Sequence, residues 1–126
     1  KAGLLVHTFW ILGFPGETHE EMQQTVDFAL NSGSDSFSFA ILQPLAGTPL
    51  YRKVWKENLW WEGREKYNNF RNSLIKVDGF DNPEDFEKWV HDLNIKANLI
   101  LKDKDPKKFE WKYGKNATDW DLMRQT

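Results

Sequence analysis

The chain has 126 residues, with 17 Lys and Arg against 19 Asp and Glu, and a formal net charge of −2. A charge this close to zero gives no overall field that favours a nucleic acid or an anionic membrane. The apolar runs are far shorter than the roughly 20 residues of a membrane-spanning helix. The chain contains no cysteine, which excludes disulfides, cysteine nucleophiles and any iron–sulfur cluster whose thiolate ligands come from this chain. We therefore expect a soluble protein with no membrane or nucleic-acid partner.

The chain begins with the pattern of a strand followed by a helix. Residues 4–12 are almost continuously apolar, β-branched or aromatic, which predicts a strand buried on both faces of a parallel sheet. The residues Gly13–Glu17 form a turn rich in glycine and proline. Thr18 and Glu21 have the spacing of a capping box, and Gly33 lies where a helix is expected to end.

A second strand and a second helix follow. Residues 36–42 alternate aromatic or aliphatic side chains with small ones, which predicts a strand. The order strand, helix, strand with these lengths is typical of a βαβ unit in a parallel sheet. Thr48 and Pro49 then supply a cap and a first residue for another helix.

The second half of the chain is predicted to be mainly helical. Residues 67–77 are compatible with a helix, although their pattern is weak. Asn82 and Pro83 give a clear helix start, and the apolar face continues to about Lys102. Residues 109–113 alternate aromatic and charged side chains, which fits either a short strand or an amphipathic turn.

Two loops at the ends of the predicted strands form the main candidate site, residues 11–18 and 43–51. Ligands of parallel α/β proteins bind at the carboxyl ends of the strands. Ile11, Phe14 and Leu42 offer apolar surface for a flat ring, and the glycines of the first loop allow close approach of the backbone. The alternative is that both loops are simply well-capped turns.

The same loops carry a specific resemblance. Gly-Phe-Pro-Gly-Glu-Thr at residues 13–18 and Pro-x-x-Gly-Thr-Pro-Leu-Tyr at 44–51 resemble the C-terminal half of a radical S-adenosylmethionine (SAM) domain. The chain is similar above all to the subgroup with an N-terminal cobalamin-binding domain and to methylthiotransferase-like enzymes. The resemblance implies an α/β fold in which residues 1–57 form the C-terminal βαβα portion of a partial (β/α)6 TIM-like barrel. Residues 58–126 would then form a mainly helical C-terminal extension.

The resemblance also implies a function and a set of site residues. In that family a 4Fe-4S cluster reductively cleaves SAM to a 5′-deoxyadenosyl radical at the open top of the barrel. Ile11 would pack against the adenine, Gly13 and Phe14 would shape its pocket, and Leu42 and Gln43 would border the nucleoside.

The family's three-cysteine motif lies outside this chain. The resemblance therefore implies that the missing N-terminal half of the same barrel provides the cluster ligands. The chain alone is expected to be an inactive fragment with no bound cofactor, taken from a cytoplasmic radical SAM iron–sulfur oxidoreductase. Cobalamin is a candidate further cofactor of that parent protein. Its small-molecule substrate is not identified by the sequence.

Several other residues have two interpretations. Glu17 and Glu20 are possible acid–base groups, although acidic residues also favour the positive end of a helix. His7 is either a hydrogen-bonded core or interface histidine or a substrate contact. Trp60, Trp61, Trp111 and Trp120 either stack on a sugar or base, or pack onto the body of the protein. The rival function is a non-catalytic α/β protein-interaction module with a Trp-rich tail.

Overall fold

The computed structural model describes residues 5–65 and 72–114. Within these ranges the elements are β1 (His7–Leu12), α1 (His19–Leu30), β2 (Ser36–Ile41), α2 (Pro49–Lys56), α3 (Pro83–Lys104) and α4 (Pro106–Tyr113). β1 and β2 form a parallel pair, with His7 opposite Ser36 and Leu12 opposite Ile41. The predicted α/β class and βαβ unit are confirmed. The described sheet has two strands, so the partial barrel remains a prediction.

The helix starts follow from local capping. The Thr18 hydroxyl accepts a hydrogen bond from the Glu21 N–H at 3.1 Å, and the Glu21 carboxylate accepts one from the Thr18 N–H at 3.0 Å. The side chains of Thr48 and Asn82 likewise accept a bond from the backbone N–H three residues further on. Each bond satisfies a donor that the first helical turn leaves unpaired. All three predicted helix starts are confirmed.

One face of the sheet is covered by α1 and α3. Their contact with the sheet encloses the first core cluster, whose buried members are Leu12, Met22, Val26, Ala29, Phe39, Ile41, Val77, Phe86, Val90, Leu93 and Ala97. Because α3 belongs to the predicted extension, both parts of the chain contribute to this core. The boundary at residue 57 therefore stays a prediction.

The opposite face of the sheet is only partly covered in the described part of the chain, although Ser36 on this face is buried. We call it the open face, and it consists of His7, Phe9, Ile11, Ser36, Ser38 and Ala40. Phe9 is 73% exposed and Ile11 is 48% exposed. The prediction of a strand buried on both faces is therefore wrong on this side. An apolar strand pattern shows which side chains are suited to burial, but it does not show what covers them.

The outer edge of β2 is closed by a side chain of α3. The Asn94 amide nitrogen donates to the Phe39 carbonyl oxygen at 2.9 Å, and its oxygen accepts from the Phe39 N–H at 2.8 Å. These are the donor and the acceptor that a further strand would offer. Asn94 therefore takes the place of a third strand beside β2.

The outer edge of β1 has no such closure at its centre. The carbonyl groups of Val6 and Leu12 accept hydrogen bonds from the β2 side. Since alternate residues of a parallel strand bond to the same neighbour, Phe9 and Ile11 direct their backbone groups to the other side. Among the described residues no partner meets them there. Within residues 5–65 and 72–114, the sheet is thus closed at β2 and open at β1.

A second core cluster lies beside α2 and consists of Leu42, Val54, Trp60, Leu74 and Ile75. An antiparallel bridge between Trp60 and Ile75 joins the two chain segments that build it. Trp60 is 6% exposed and its ring meets the Trp55 ring edge-on, with 5.3 Å between centroids. Its interpretation as an exposed stacking surface is therefore wrong.

The other tryptophans with a predicted stacking role are Trp61, Trp111 and Trp120. Trp61 is half-buried, and its ring nitrogen donates to the Ser73 hydroxyl at 3.0 Å, so it packs onto the body of the protein. The side chain of Trp111 and the whole of Trp120 lie outside the described residues.

Other predictions for the second half need correction. The described part of the weak helix prediction, 72–77, is not helical, and its earlier residues lie outside the described ranges. Residues 109–113 belong to the helix α4, so the prediction of a short strand is wrong.

The end of α1 also differs from the prediction. α1 ends with Asn31 as its C-cap, and Gly33 adopts its positive φ of 80° two residues later. Among the described residues no helix has both the length and the apolar character needed to cross a membrane.

Candidate functional site

A tight loop joins the end of β1 to α1. The Glu17 N–H donates to the Phe14 carbonyl oxygen at 3.0 Å. Pro15 and Gly16 are the central residues of this turn, and Gly16 has a φ of 85°. Proline followed by a residue with positive φ is typical of a type II turn. Gly13, just before the turn, also has a positive φ, of 97°. The sequence therefore fixes the shape of this loop locally.

Gly13 is also fixed by its contact with α3. A Cβ atom at this position would lie 3.1 Å from Cε2 and 3.2 Å from Cζ of Phe86. Phe86 is fully buried, so its ring has little room to move away. Gly13 is therefore required both by its backbone conformation and by the packing beneath the loop.

The structure brings the two predicted loops side by side. The Leu42 N–H donates to the Leu12 carbonyl oxygen at 2.9 Å, which extends the ladder by one residue beyond the strands. Ile11 and Phe14 are 48% and 44% exposed, whereas Gly13 between them is buried. The end of β1 thus presents two apolar side chains on either side of a fixed, buried glycine.

Leu42 and Gln43 are buried at the end of β2. Leu42 belongs to the second core cluster. The Gln43 amide nitrogen donates to the Asn72 carbonyl oxygen at 2.8 Å, while its Oε1 is buried with no hydrogen-bond partner among the described residues. An unpaired buried acceptor costs about 1–3 kcal/mol. The role of both residues beside a nucleoside stays a prediction.

An ionic network holds the segment that carries Asn72. The Glu87 Oε2 atom accepts from Arg64 Nη1 at 2.7 Å, from Asn72 Nδ2 at 2.9 Å and from the Ser73 N–H at 2.8 Å. Arg64 also pairs with Glu84 at 3.1 Å. The network ties the chain before α3 to α3 itself. Sequence analysis missed it because its members lie far apart along the chain.

The two predicted acid–base candidates differ in their contacts. Glu17 Oε1 accepts from the N–H of Gly13 at 3.2 Å and from the N–H of Phe14 at 3.4 Å. Glu20 is exposed in the first turn of α1. Sequence analysis missed the contact of Glu17 with the loop. The signal was present, because Glu17 follows Phe14 and Gly13 by three and four residues and closes the turn, so its carboxylate is within reach of their amides.

His7 has partners on both ring nitrogens. Hydrogen bonds join Nδ1 to the Ser36 hydroxyl at 2.6 Å and Nε2 to the Ser38 hydroxyl at 3.1 Å. Its ring also meets the Phe9 ring edge-on, at 4.7 Å between centroids. The prediction of a hydrogen-bonded histidine is confirmed.

The site suits an organic ring better than a metal cluster. Among the described residues, no three His, Cys, Asp or Glu side chains are grouped so that they could hold a metal ion. The chain also lacks the thiolates that hold a 4Fe-4S cluster, so its residues do not fit that group. Exposed apolar side chains beside a few fixed polar groups are typical of a pocket for a flat heterocycle. Ile11 and Phe14 are exposed apolar side chains of this kind, and their role beside the adenine of SAM stays a prediction.

Two curated proteins resemble the chain in sequence, and both are named methyltransferases. The chain is 29% identical over 103 residues to the cytidylyl-2-hydroxyethylphosphonate methyltransferase of Streptomyces wedmorensis, a match that covers 76% of this chain and 19% of that protein. It is 39% identical over 59 residues to an uncharacterized methyltransferase of Pyrococcus horikoshii, covering 47% of this chain and 13% of that protein. No protein-family profile and no solved structure matches the chain.

The similarity to methyltransferases is distant and partial. The chain spans less than a fifth of the length of each of these relatives. Their names are compatible with an enzyme that uses SAM. They do not specifically support an oxidoreductase.

Proposed function

We propose that this chain is the C-terminal part of the catalytic barrel of a radical SAM enzyme, and that the end of β1 binds the adenine of SAM. The observation that carries the proposal is the pair of exposed apolar residues, Ile11 and Phe14, on either side of the fixed Gly13. The relatives named as methyltransferases favour group transfer rather than oxidoreduction as the reaction of the whole protein.

Each site residue has a distinct task in this proposal. Ile11 and Phe14 contact the faces of the adenine, and Gly13 keeps the loop backbone close to it. Leu42 and Gln43, at the end of β2, border the nucleoside. The residues of this chain would hold the adenine of SAM, and the reductive chemistry would come from a group held outside this chain.

The partner in this proposal is the N-terminal half of the same barrel. Its strands would add to the outer edge of β1 and extend over the open face, where Phe9 and Ile11 are exposed. Asn94 already bonds to Phe39 at the outer edge of β2, which supports β2 as the last strand. The cysteines of the cluster come from that half, and any cobalamin lies in a separate upstream domain that needs no ligand from this chain.

The test uses the longer parent protein, purified anaerobically and reconstituted with iron and sulfide. We expect the reduced protein to convert SAM to 5′-deoxyadenosine. Ile11→Glu places a charge against the adenine, so we expect at least about tenfold less product at equal cluster content, since burying an unpaired charge is costly.

Leu99→Glu is the matched control. Leu99 is 45% exposed, close to the value for Ile11, but it lies on α3 far along the chain from the loop. We expect this variant to cleave SAM at the rate of the parent. Equal activity of both variants would overturn the assignment of the adenine site. A parent protein that holds no cluster and does not cleave SAM would overturn the proposal that it is a radical SAM enzyme.

One observation favours a second candidate, a protein-interaction module. The open face exposes Phe9 by 73%, and exposed apolar surface often marks a binding site. A parent gene without the three-cysteine motif would support this candidate. It would also contradict the radical SAM proposal.

A further inference from the structure

Two backbone N–H groups of the β1–α1 loop share one carboxylate oxygen. Glu17 Oε1 lies 3.2 Å from the nitrogen of Gly13 and 3.4 Å from the nitrogen of Phe14. Gly13 is buried, and a buried N–H requires a partner. The Gly13 N–H points to the open edge of β1, on the same side as the backbone groups of Phe9 and Ile11. No neighbouring strand of the described chain can accept a hydrogen bond there. Glu17 supplies that acceptor.

The position of Glu17 differs from that of an ordinary helix-stabilising acid. It precedes the N-cap residue Thr18, and its side chain folds back over the turn. Glu20 and Glu21 already place two acidic groups in the first turn of α1. Stabilisation of the helix dipole therefore does not explain where the Glu17 carboxylate lies.

The contact acts on the residues that flank the proposed adenine. Gly13 lies between the exposed side chains of Ile11 and Phe14, and Phe14 itself donates one of the two bonds. The other restraints on the loop are the turn bond between Glu17 and Phe14 and the packing of Phe86 under Gly13. Loss of the carboxylate would loosen the loop and leave these restraints in place.

We infer that Glu17 is a positioning residue, whose carboxylate holds the Gly13–Phe14 backbone in the conformation that receives SAM. The inference rests on the proposed function of this loop. Glu17 itself contacts the loop and not the ligand. Hydrogen bonds to an ionised acceptor are stronger than those between neutral groups, which suits a carboxylate for holding two adjacent amides.

The first experiment measures backbone hydrogen exchange in the 126-residue chain by NMR. We expect Glu17→Ala to speed exchange at Gly13 and Phe14 about tenfold, with Leu42 unchanged as an internal reference. Glu17→Gln keeps an acceptor oxygen and should restore most of the protection. Glu20→Ala removes the same charge from the same helix start and should leave all three amides unchanged.

The second experiment measures the KM for SAM and the kcat of the reconstituted parent enzyme. We expect Glu17→Ala to raise the KM for SAM about tenfold, to match the loosened loop, with kcat within about twofold of the parent. Glu17→Gln should recover most of the affinity. Unchanged exchange at Gly13, or an equal rise of KM in Glu20→Ala, would overturn the inference.

The two experiments separate this inference from the proposed function. If the unmodified parent does not bind SAM, the proposed function fails and the ligand-directed part of the inference fails with it. The exchange rates in the chain then still decide whether Glu17 holds the loop.

Discussion

Within β1, the covered and open faces of the sheet differ in packing more than in composition. Leu12 of β1 points to the covered face and is fully buried, whereas its neighbour Ile11 points to the open face and is 48% exposed. Both are aliphatic residues in the same strand, so their side chains gain similarly from burial. The difference between them therefore lies in what other parts of the protein provide on each side.

The two faces are predicted to separate effects on stability from effects on function. The covered face joins β1, β2, α1 and α3 in one core, and substitutions there should act on folding. The open face contributes exposed residues and the edge of the loop, so substitutions there should act on binding. Four predictions test this division.

The largest effect on the free energy of unfolding is expected when alanine substitutions of Leu12 and Ile11, neighbours in β1, are compared. Leu12→Ala leaves a cavity in the first core cluster and should lower the free energy of unfolding by about 3 kcal/mol. Ile11→Ala removes a half-exposed side chain and should lower it by less than about 1 kcal/mol. Urea denaturation of both variants measures the difference. Equal losses would mean that the open face is packed in solution.

The next effect concerns the closed edge of β2. Asn94→Ala removes both partners of Phe39, so we expect a loss of about 2 kcal/mol. Lys96→Ala, at an exposed position of the same helix, should change the free energy of unfolding by less than about 0.5 kcal/mol. If Asn94→Ala is as stable as this control, the side chain does not close the edge.

A smaller effect is expected where the core supports the site loop. Gly13→Ala and Gly16→Ala both place a side chain at a positive φ, which costs about 1 kcal/mol or more. Only the first also meets Phe86, since the space around Gly16 is open. We therefore expect Gly13→Ala to unfold at a lower urea concentration than Gly16→Ala. The reverse order would show that Phe86 yields easily.

The smallest effect on stability is expected on the open face. Phe9→Ser should change the free energy of unfolding by less than about 0.5 kcal/mol, because Phe9 is 73% exposed. It should nevertheless reduce self-association of the chain, since exposed apolar surface and open strand edges promote it. Sedimentation velocity at several concentrations measures this. A monomeric parent chain, or an unchanged variant, would contradict the prediction.

The features predicted best from the sequence depend on neighbouring residues. Thr18, Thr48 and Asn82 cap helices through atoms three residues away, so a short motif contains all of the information. The βαβ order and the adjacency of the two loops were likewise predictable. The type II turn of the site loop follows from its own proline and glycine.

The features that escaped prediction depend on distant partners. Gly13 meets Phe86, and Phe39 meets Asn94, across 73 and 55 positions of the chain. No local pattern identifies such pairs. The open face was missed for a related reason, because the residues of a strand do not specify its cover. Glu17 is the exception, since its contact with Gly13 is local and was available from the spacing.

The paired indoles beside α2 provide an optical signal. Trp55 is 50% exposed and Trp60 is 6% exposed, and their rings lie 5.3 Å apart. Two indoles this close couple electronically, so they should give a paired band in circular dichroism that vanishes when the second core cluster opens. An aqueous quencher should reach Trp55 before Trp60. The opening of the second core cluster can therefore be followed separately from the unfolding of the sheet, without any added label.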